Sequence, residues 1–191
     1  SALTILSDEE QSYFDAIKDF AKKEVAPHVT AMDEAQKINP DIVKKLFEMG
    51  LMGIEVPQEL EGSGASFFAA ILAVQAISQV DPSVGVMVDV QNTLVNNAFM
   101  RWGSDALKKK YLPQLATGKV GSYCLSESSS GSDAFALKTK AVKKGDKYIL
   151  NGQKLWITNA GEADIFIIIA NLNPEAGYKG ITAFVVERGF K

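Results

Sequence analysis

The spacing of the apolar residues changes once along the chain, near Lys119, and this change constrains the fold more than any other feature. Before that residue the apolar positions recur at the spacing of amphipathic helices, whereas beyond it they alternate or form short blocks rich in Ile and Val. The sequence therefore predicts an α+β chain: an all-α helical bundle over residues 1–119, followed by an antiparallel β domain over residues 120–191.

Helix-start signals divide the first part into five helices, which we expect to form a roughly antiparallel bundle. Ser7 with Glu10 makes a capping box, and Asn39 and Asp81 each precede a proline that suits the first helical position. The segment 66–80 is apolar on nearly every side, which predicts a helix at the centre of the bundle. A fifth helix starts at residues 104–105 and runs to Pro113.

The second part predicts an antiparallel meander. The strand segments are residues 120–125, 137–142, 148–150, 154–158, 165–170 and 181–187. Residues 144–146 and the pair Asn151-Gly152 read as tight turns between neighbouring strands.

Composition excludes several classes of function. The net charge of -3 leaves no cationic excess for nucleic acid. The longest apolar runs are far shorter than the ~18 residues of a membrane span. The single Cys124 predicts no internal disulfide, and the single His28 predicts no zinc cluster and no other metal site. We expect a reducing compartment, and any targeting peptide to have been removed or to be absent.

Residues 123–133 leave a predicted strand and become a loop of small polar residues. Backbone N–H groups and hydroxyls in such a loop can surround a phosphate or the polar edge of a flat ring. Ser and Gly are also ordinary turn residues, so on its own the loop is more often a plain connector.

Two motifs favour a ligand-binding role for this loop over that of a plain connector. The segment Cys124-Leu125-Ser126-Glu127-x-x-Ser130-Gly131-Ser132-Asp133-x-x-Ala136 resembles the signature of the acyl-CoA dehydrogenase family, and residues 151–159 (NGQKLWITN) are similar to the family's second flavin segment. The resemblance is greatest to the short/branched-chain members. It covers the whole chain but only the helical N-terminal domain and most of the middle β domain of the family.

The resemblance implies an FAD site and part of a substrate site. The cofactor-binding positions are Tyr123, Cys124, Leu125, Ser126, Glu127, Ser128, Ser129, Ser130, Gly131, Ser132, Trp156, Ile157 and Thr158. Within this set, Trp156 would flank the isoalloxazine ring and Thr158 would place a hydroxyl near its N5 atom. Ser132 and Tyr178 would contact the acyl-CoA.

The same resemblance implies that no catalytic residue lies in this chain, because the family takes its glutamate base from a C-terminal helical domain. Glu127 is expected to be a loop residue that binds backbone groups, and Glu162 and Glu187 to be surface carboxylates. We therefore expect residues 1–191 alone to be inactive.

The implied activity is α,β-dehydrogenation of short or branched-chain acyl-CoA thioesters. Electron-transfer flavoprotein is the expected acceptor of the electrons. The resemblance also implies that the full-length protein is a homo-oligomer, specifically a homotetramer. The expected location is the mitochondrial matrix in a eukaryote or the cytoplasm in a bacterium. Two alternatives stay open: a non-catalytic module that binds flavin, acyl-CoA or another subunit, and an oxidase or monooxygenase on the same fold.

Overall fold

The computed structural model describes residues 5–190 and divides into two compact units, residues 1–119 and 120–191. The first four residues and the last, which the predicted domain bounds include, lie outside the described residues.

The first unit is helical. Two π-helical segments, Ala21–Val25 and Val90–Asn96, and two short 3-10 turns, Ala26–His28 and Gln58–Leu60, join or interrupt the α-helices. The α-helices are α1 (Asp8–Phe20), α2 (Val29–Ala35), α3 (Pro40–Glu48), α4 (Phe67–Ser78), α5 (Pro82–Asp89), α6 (Asn97–Trp102) and α7 (Asp105–Thr117).

The predicted helix starts are confirmed because local hydrogen bonding fixes them. The Ser7 hydroxyl accepts the N–H of Glu10, whose carboxylate accepts the N–H of Ser7 in return. Asn39 caps α3 and Asp81 caps α5 through their side-chain oxygens. Each of these caps satisfies N–H groups that a helix start leaves without partners.

Four features of the helical part differ from the prediction. The predicted fourth helix consists of α5, the second π-helical segment and α6, and the unpredicted α2 begins without a side-chain cap. Helix α7 continues past Pro113 to Thr117. Helix α4 is not enclosed, because Phe67 is 51% and Ile71 38% exposed. Only one side of α4 packs into the core, through Ala70, Leu72, Ala73, Ala76 and Ile77.

The second unit is a five-stranded mixed sheet. Its strands are β1 (Gly121–Cys124), β2 (Lys140–Lys144), β3 (Lys147–Asn151), β4 (Ile165–Asn171) and β5 (Ile181–Glu187). Strand β4 pairs with β1 in parallel over residues 165–168, meets β2 in parallel at Asn171, and pairs with β5 antiparallel along its whole length. The hairpin of β2 and β3 is antiparallel, as predicted.

The predicted order of a helical part followed by a β part is confirmed, but the antiparallel meander is wrong. Residues 154–158 form no strand, and the chain after β3 crosses to place β4 beside β1. Instead, the backbone N–H of Leu155 donates to the carbonyl oxygen of Ser126, in the segment after β1. A ladder with β3 would need such backbone groups for its own pairing.

Neither membrane spans nor metal clusters appear in the part of the chain that the structure describes. Every helix within residues 5–190 is too short or too polar to cross a bilayer. No three His, Cys, Asp or Glu side chains within that range are grouped so that they could hold a metal ion.

Candidate flavin site

The two motif segments, residues 124–136 and 151–159, lie against each other in the second unit. The N–H of Leu155 donates to the carbonyl oxygen of Ser126 at 2.9 Å. Further along, the Ser122 hydroxyl, which is fully buried, donates to the carbonyl oxygen of Thr158 at 2.8 Å. Residues 122–133 and 154–158 therefore form one surface, which we call the two-segment cradle.

Glu127 fixes the cradle from inside. Its carboxylate is 8% exposed and accepts the Lys154 ammonium at 2.8 Å, the Thr139 hydroxyl at 2.5 Å, and the N–H groups of Lys138 and Thr139 at 2.6 and 3.1 Å. Burial alone would raise the pKa of Glu127, but these hydrogen bonds outweigh it and lower the pKa to about 2. The expectation that Glu127 binds backbone groups within the loop is thus confirmed.

Lys154 completes this anchor with a second bond. Its ammonium donates to the carbonyl oxygen of Leu125 at 2.9 Å as well as to Glu127. Because the pair is buried and every carboxylate oxygen is hydrogen-bonded, the Glu127 side chain is committed to the protein. Any contact of residue 127 with a ligand must come from its backbone.

Cys124 and Tyr123 are held in nonpolar surroundings. The Cys124 thiol is buried, and this burial raises its pKa to about 11, with a smaller opposing effect of Lys154. Burial also raises the pKa of the Tyr123 phenol. Both groups are neutral near pH 7, so Cys124 has no reactive thiolate.

Several polar groups of the cradle are left open to a ligand. Within residues 5–190, the hydroxyls of Ser126, Ser132 and Thr158 have no hydrogen-bond partner. A Cβ placed on Gly131 would meet nothing within 4 Å. Ser130 differs, because it is buried and its hydroxyl donates to the carbonyl oxygen of Asp133 at 2.9 Å. Ser130 therefore shapes the loop.

Trp156 stands out from the surface of the cradle. Its side chain is 93% exposed and its φ is +58°, a left-handed conformation that is costly for a bulky residue. Without the motif, Trp156 would be interpreted as a sheet-face aromatic in a strand, and the structure excludes that interpretation. An exposed indole held in a strained backbone is typical of a ligand contact.

Tyr178 lies on the loop between β4 and β5, against Phe135 of the polar loop. The two ring centroids are 5.5 Å apart. Ser132 precedes Phe135 by three residues, so the two predicted acyl-CoA contacts belong to neighbouring loops. Sequence reasoning missed Phe135. The available signal was an aromatic residue directly after a signature of small polar residues.

The open groups of the cradle fit a flavin. The free hydroxyls can donate to or accept from the heteroatoms of a planar ring, the indole offers a flat face, and the open space at Gly131 lets a phosphate approach the backbone. The buried carboxylates of the described residues are Asp81, which caps α5 in the helical unit, and Glu127. Both oxygens of Glu127, the one buried carboxylate described in the second unit, accept hydrogen bonds, so that group is not free to act as a base.

Comparison with known families assigns both units. The family described as acyl-CoA dehydrogenase, N-terminal domain, matches residues 7–119, and the family described as acyl-CoA dehydrogenase, middle domain, matches residues 122–191.

Two curated relatives match over nearly all of the chain. A probable short/branched chain specific acyl-CoA dehydrogenase of Dictyostelium discoideum is 51% identical over 97% of this chain and 45% of its own length. The mitochondrial short/branched chain specific acyl-CoA dehydrogenase of Bos taurus is 47% identical over 97% of this chain and 43% of its own length. The chain thus spans less than half the length of these relatives.

Solved structures agree with this assignment. Butyryl-CoA dehydrogenase from Megasphaera elsdenii matches with a TM-score of 0.91 at 34% identity, over 97% of this chain and 50% of that one. A chain from a structure of the electron transferring flavoprotein of Acidaminococcus fermentans matches with a TM-score of 0.92 at 39% identity, and the match covers 97% of this chain and 49% of that one. A glutaryl-CoA dehydrogenase from Mycobacterium smegmatis in complex with FADH2 has a TM-score of 0.88 at 27% identity, and the match covers 96% of this chain and 46% of that one.

Proposed function

Because this chain belongs to the acyl-CoA dehydrogenase family, we propose that it forms the N-terminal and middle parts of an FAD-dependent acyl-CoA dehydrogenase. The substrates would be short or branched-chain acyl-CoA thioesters, like those in the names of the relatives. The observation that carries the proposal is the two-segment cradle, which brings both motifs together and leaves three hydroxyls and Trp156 free for a ligand.

We assign the flavin-binding role to residues 120–191 and a supporting role to the helical residues 1–119. When bound, FAD supplies the acceptor for the hydride that leaves the β carbon of the thioester. Ser126 and Thr158 would hold the ring by hydrogen bonds, and Trp156 would cover it and exclude water. The N–H groups of residues 128, 129, 131 and 132, with the Ser132 hydroxyl, would hold the phosphates, because those of Glu127 and Ser130 donate to each other's carbonyl oxygens.

The Glu127–Lys154 pair would support the reaction by positioning the groups that bind the flavin ring. By tying the loop after β1 to the segment before Trp156, it keeps the ring-binding groups in place before the cofactor arrives, which lowers the cost of ordering them on binding. The pair moves no proton, because the low pKa of Glu127 keeps this carboxylate ionised near pH 7. The base that removes the α proton would come from outside the described residues.

The remaining parts of the proposal concern partners and location. We infer that an electron-transfer flavoprotein accepts the electrons, that the whole protein is a homo-oligomer, and that it works in the mitochondrial matrix in a eukaryote or in the cytoplasm in a bacterium. The match to the electron transferring flavoprotein structure and the mitochondrial relative support the acceptor and the location.

A pair of tryptophan variants tests the flavin site. The chain has two tryptophans, Trp156 in the cradle and Trp102 in the helical unit, which are 93% and 86% exposed. In the whole protein, Trp156→Leu should weaken FAD binding, followed as the change in flavin fluorescence during titration, whereas Trp102→Leu should leave the affinity unchanged. Equal affinities for wild type and both variants would show that the cradle does not hold the flavin.

A further inference from the structure

Arg188 follows β5 directly and hydrogen-bonds to the loop that comes after Thr158. Its Nε donates to the carbonyl oxygen of Ala163 at 2.7 Å. Its Nη2 donates to the carbonyl oxygens of Ala160 and Gly161 at 2.9 and 3.1 Å. One guanidinium therefore holds three carbonyl oxygens of a loop that begins where the two-segment cradle ends.

Two further contacts attach Arg188 to the sheet. Its guanidinium lies over the Phe166 ring, 5.5 Å from the ring centroid, and its backbone N–H donates to the carbonyl oxygen of Asp164 at 2.7 Å. Phe166 belongs to the seven-residue ladder that joins β4 to β5. The side chain thus connects the loop to paired strands, which makes it a brace between a loop and a fixed part of the unit.

The loop is a compact turn that starts inside the second motif. The N–H of Ala160 donates to the carbonyl oxygen of Ile157 at 3.2 Å, and the N–H of Ala163 donates to that of Asn159 at 2.7 Å. Asn159 is 8% exposed and has a φ of +66°. These bonds tie the residues on either side of Thr158 to the loop, so a displacement of the loop displaces Thr158 as well.

Thr158 is held from its other side by β1. Its carbonyl oxygen accepts the buried Ser122 hydroxyl at 2.8 Å, whereas its own hydroxyl has no hydrogen-bond partner within residues 5–190. A free hydroxyl keeps its position only when the backbone that carries it is fixed. Hydrogen bonds weaken steeply when their angle departs from linearity, so small movements of this backbone change the bond that the hydroxyl can offer to a ring.

We propose that Arg188 is a positioning residue of the flavin site. By holding the loop, Arg188 keeps Thr158 where its hydroxyl can reach the flavin ring, and through Thr158 it tunes the reduction potential of the cofactor. Arginine suits this role because its planar group offers several donors in a rigid arrangement, whereas a lysine offers one ammonium on a flexible stem. The inference rests on the proposed function for the flavin, and adds a residue that lies outside both motifs.

The flavin reduction potential of the whole protein, measured by redox titration, tests this role. Arg188→Met removes the donors and keeps an unbranched side chain. It should shift the potential in the same direction as Thr158→Val but by a smaller amount, because the hydroxyl is still present. When Thr158→Val is already in place, adding Arg188→Met should leave the potential unchanged, because no hydroxyl remains to be positioned. Arg101→Met, at the chain's other arginine, is the matched control and should have no effect.

Hydrogen exchange in the whole protein without FAD tests the step from Arg188 to the loop. In Arg188→Met the amides of Ala160 and Ala163 should exchange at least about 10-fold faster, because hydrogen bonds from a charged donor are among the stronger ones. The amides of the β2–β3 hairpin should keep their wild-type rates. Arg188→Lys should change both the potential and the exchange in the same direction by less, and it carries both measurements if Arg188→Met does not fold.

Three results would overturn the inference. They are a potential in Arg188→Met equal to that of the wild type, a shift that is the same with and without the Thr158 hydroxyl, and unchanged exchange in the loop. A whole protein that binds no FAD would refute the proposed function and the inference with it. A protein that binds FAD and responds to Thr158→Val but not to Arg188→Met would refute the inference alone.

Discussion

Replacing Glu127 with Gln should destabilise the second unit by several kcal/mol, because this substitution keeps the shape of the side chain and removes its charge. The ammonium of Lys154 would then be left buried without a counter-charge, and two N–H groups and a hydroxyl would face a weaker acceptor. Breaking a buried pair by removing one partner costs about 3 to 5 kcal/mol.

The pKa of Glu127 gives an independent magnitude. Folding lowers the pKa from 4.5 to about 2, and each unit corresponds to ~1.4 kcal/mol, so the ionised carboxylate contributes about 3 kcal/mol near pH 7. Since the folded pKa is the lower one, this stability is fully present above about pH 4.5 and is lost as the pH falls toward 2. The difference between wild type and variant should therefore shrink over that range.

Urea unfolding at several pH values measures the effect, with hydrogen exchange as a local readout. At pH 7 the midpoint for Glu127→Gln should fall without a change in slope, and the amides of Lys138 and Thr139 should exchange faster. Glu175→Gln is the matched control, because Glu175 is an exposed glutamate of the same unit. A Glu127→Gln loss below about 1 kcal/mol, or one that does not vary with pH, would refute the role assigned to the anchor.

Three further predictions concern the flavin, the helical unit and the reaction. In the whole protein loaded with FAD, Thr158→Val should shift the flavin reduction potential, because it removes a hydrogen bond worth roughly 0.5 to 1.5 kcal/mol. The control Thr182→Val, on β5, should leave the potential unchanged. A redox titration that gives the same potential for wild type and Thr158→Val would count against the Thr158 contact. Asn92→Ala should lower the free energy of unfolding, measured with urea, by at least about 2 kcal/mol, because the buried Asn92 amide accepts the N–H of Ile54 and donates to two carbonyl oxygens. A change within error of zero would contradict this. Residues 1–191 alone, loaded with FAD, should not turn over a short acyl-CoA with an artificial acceptor, since a general base contributes ~10² to 10⁴-fold; measurable turnover would contradict it.

Local chemistry accounts for the parts of the fold that the sequence predicts well. The caps at Ser7, Asn39 and Asp81 are hydrogen bonds within three residues of the helix start, so they are visible in the order of the residues. The β2–β3 hairpin is fixed in the same way by the two-residue turn Gly145-Asp146, in which Gly145 has a φ of +62°.

Non-local pairing accounts for the parts that the sequence does not predict. The parallel ladder of β1 and β4 joins residues more than forty positions apart, and no turn signal encodes it. Residues 154–158 alternate as a strand would, but the backbone N–H of Leu155 donates to the carbonyl oxygen of Ser126, far away in sequence, rather than to a neighbouring strand. Trp156, the next residue, is exposed, whereas an alternating segment on its own indicates a half-buried side chain.

The motifs select the residues of the proposed site but do not predict which of them can reach a ligand and which of them hold the loop. Ser126, Ser132 and Thr158 keep open hydroxyls, whereas Glu127 and Ser130 are committed to the loop itself. That difference depends on which atoms are buried in the folded unit. Residue type alone does not determine it.

Hydrogen exchange across the two-segment cradle, with and without FAD, tests the central claim most directly. The whole protein is titrated until flavin absorbance shows saturation, and exchange is followed in residues 122–133, in residues 154–158 and, as an internal reference, in the β2–β3 hairpin. Bound FAD should slow exchange in both segments together, with little effect on the hairpin. Saturation with FAD that protects only one of the segments, or neither, would contradict the claim that the two motifs form a single flavin site.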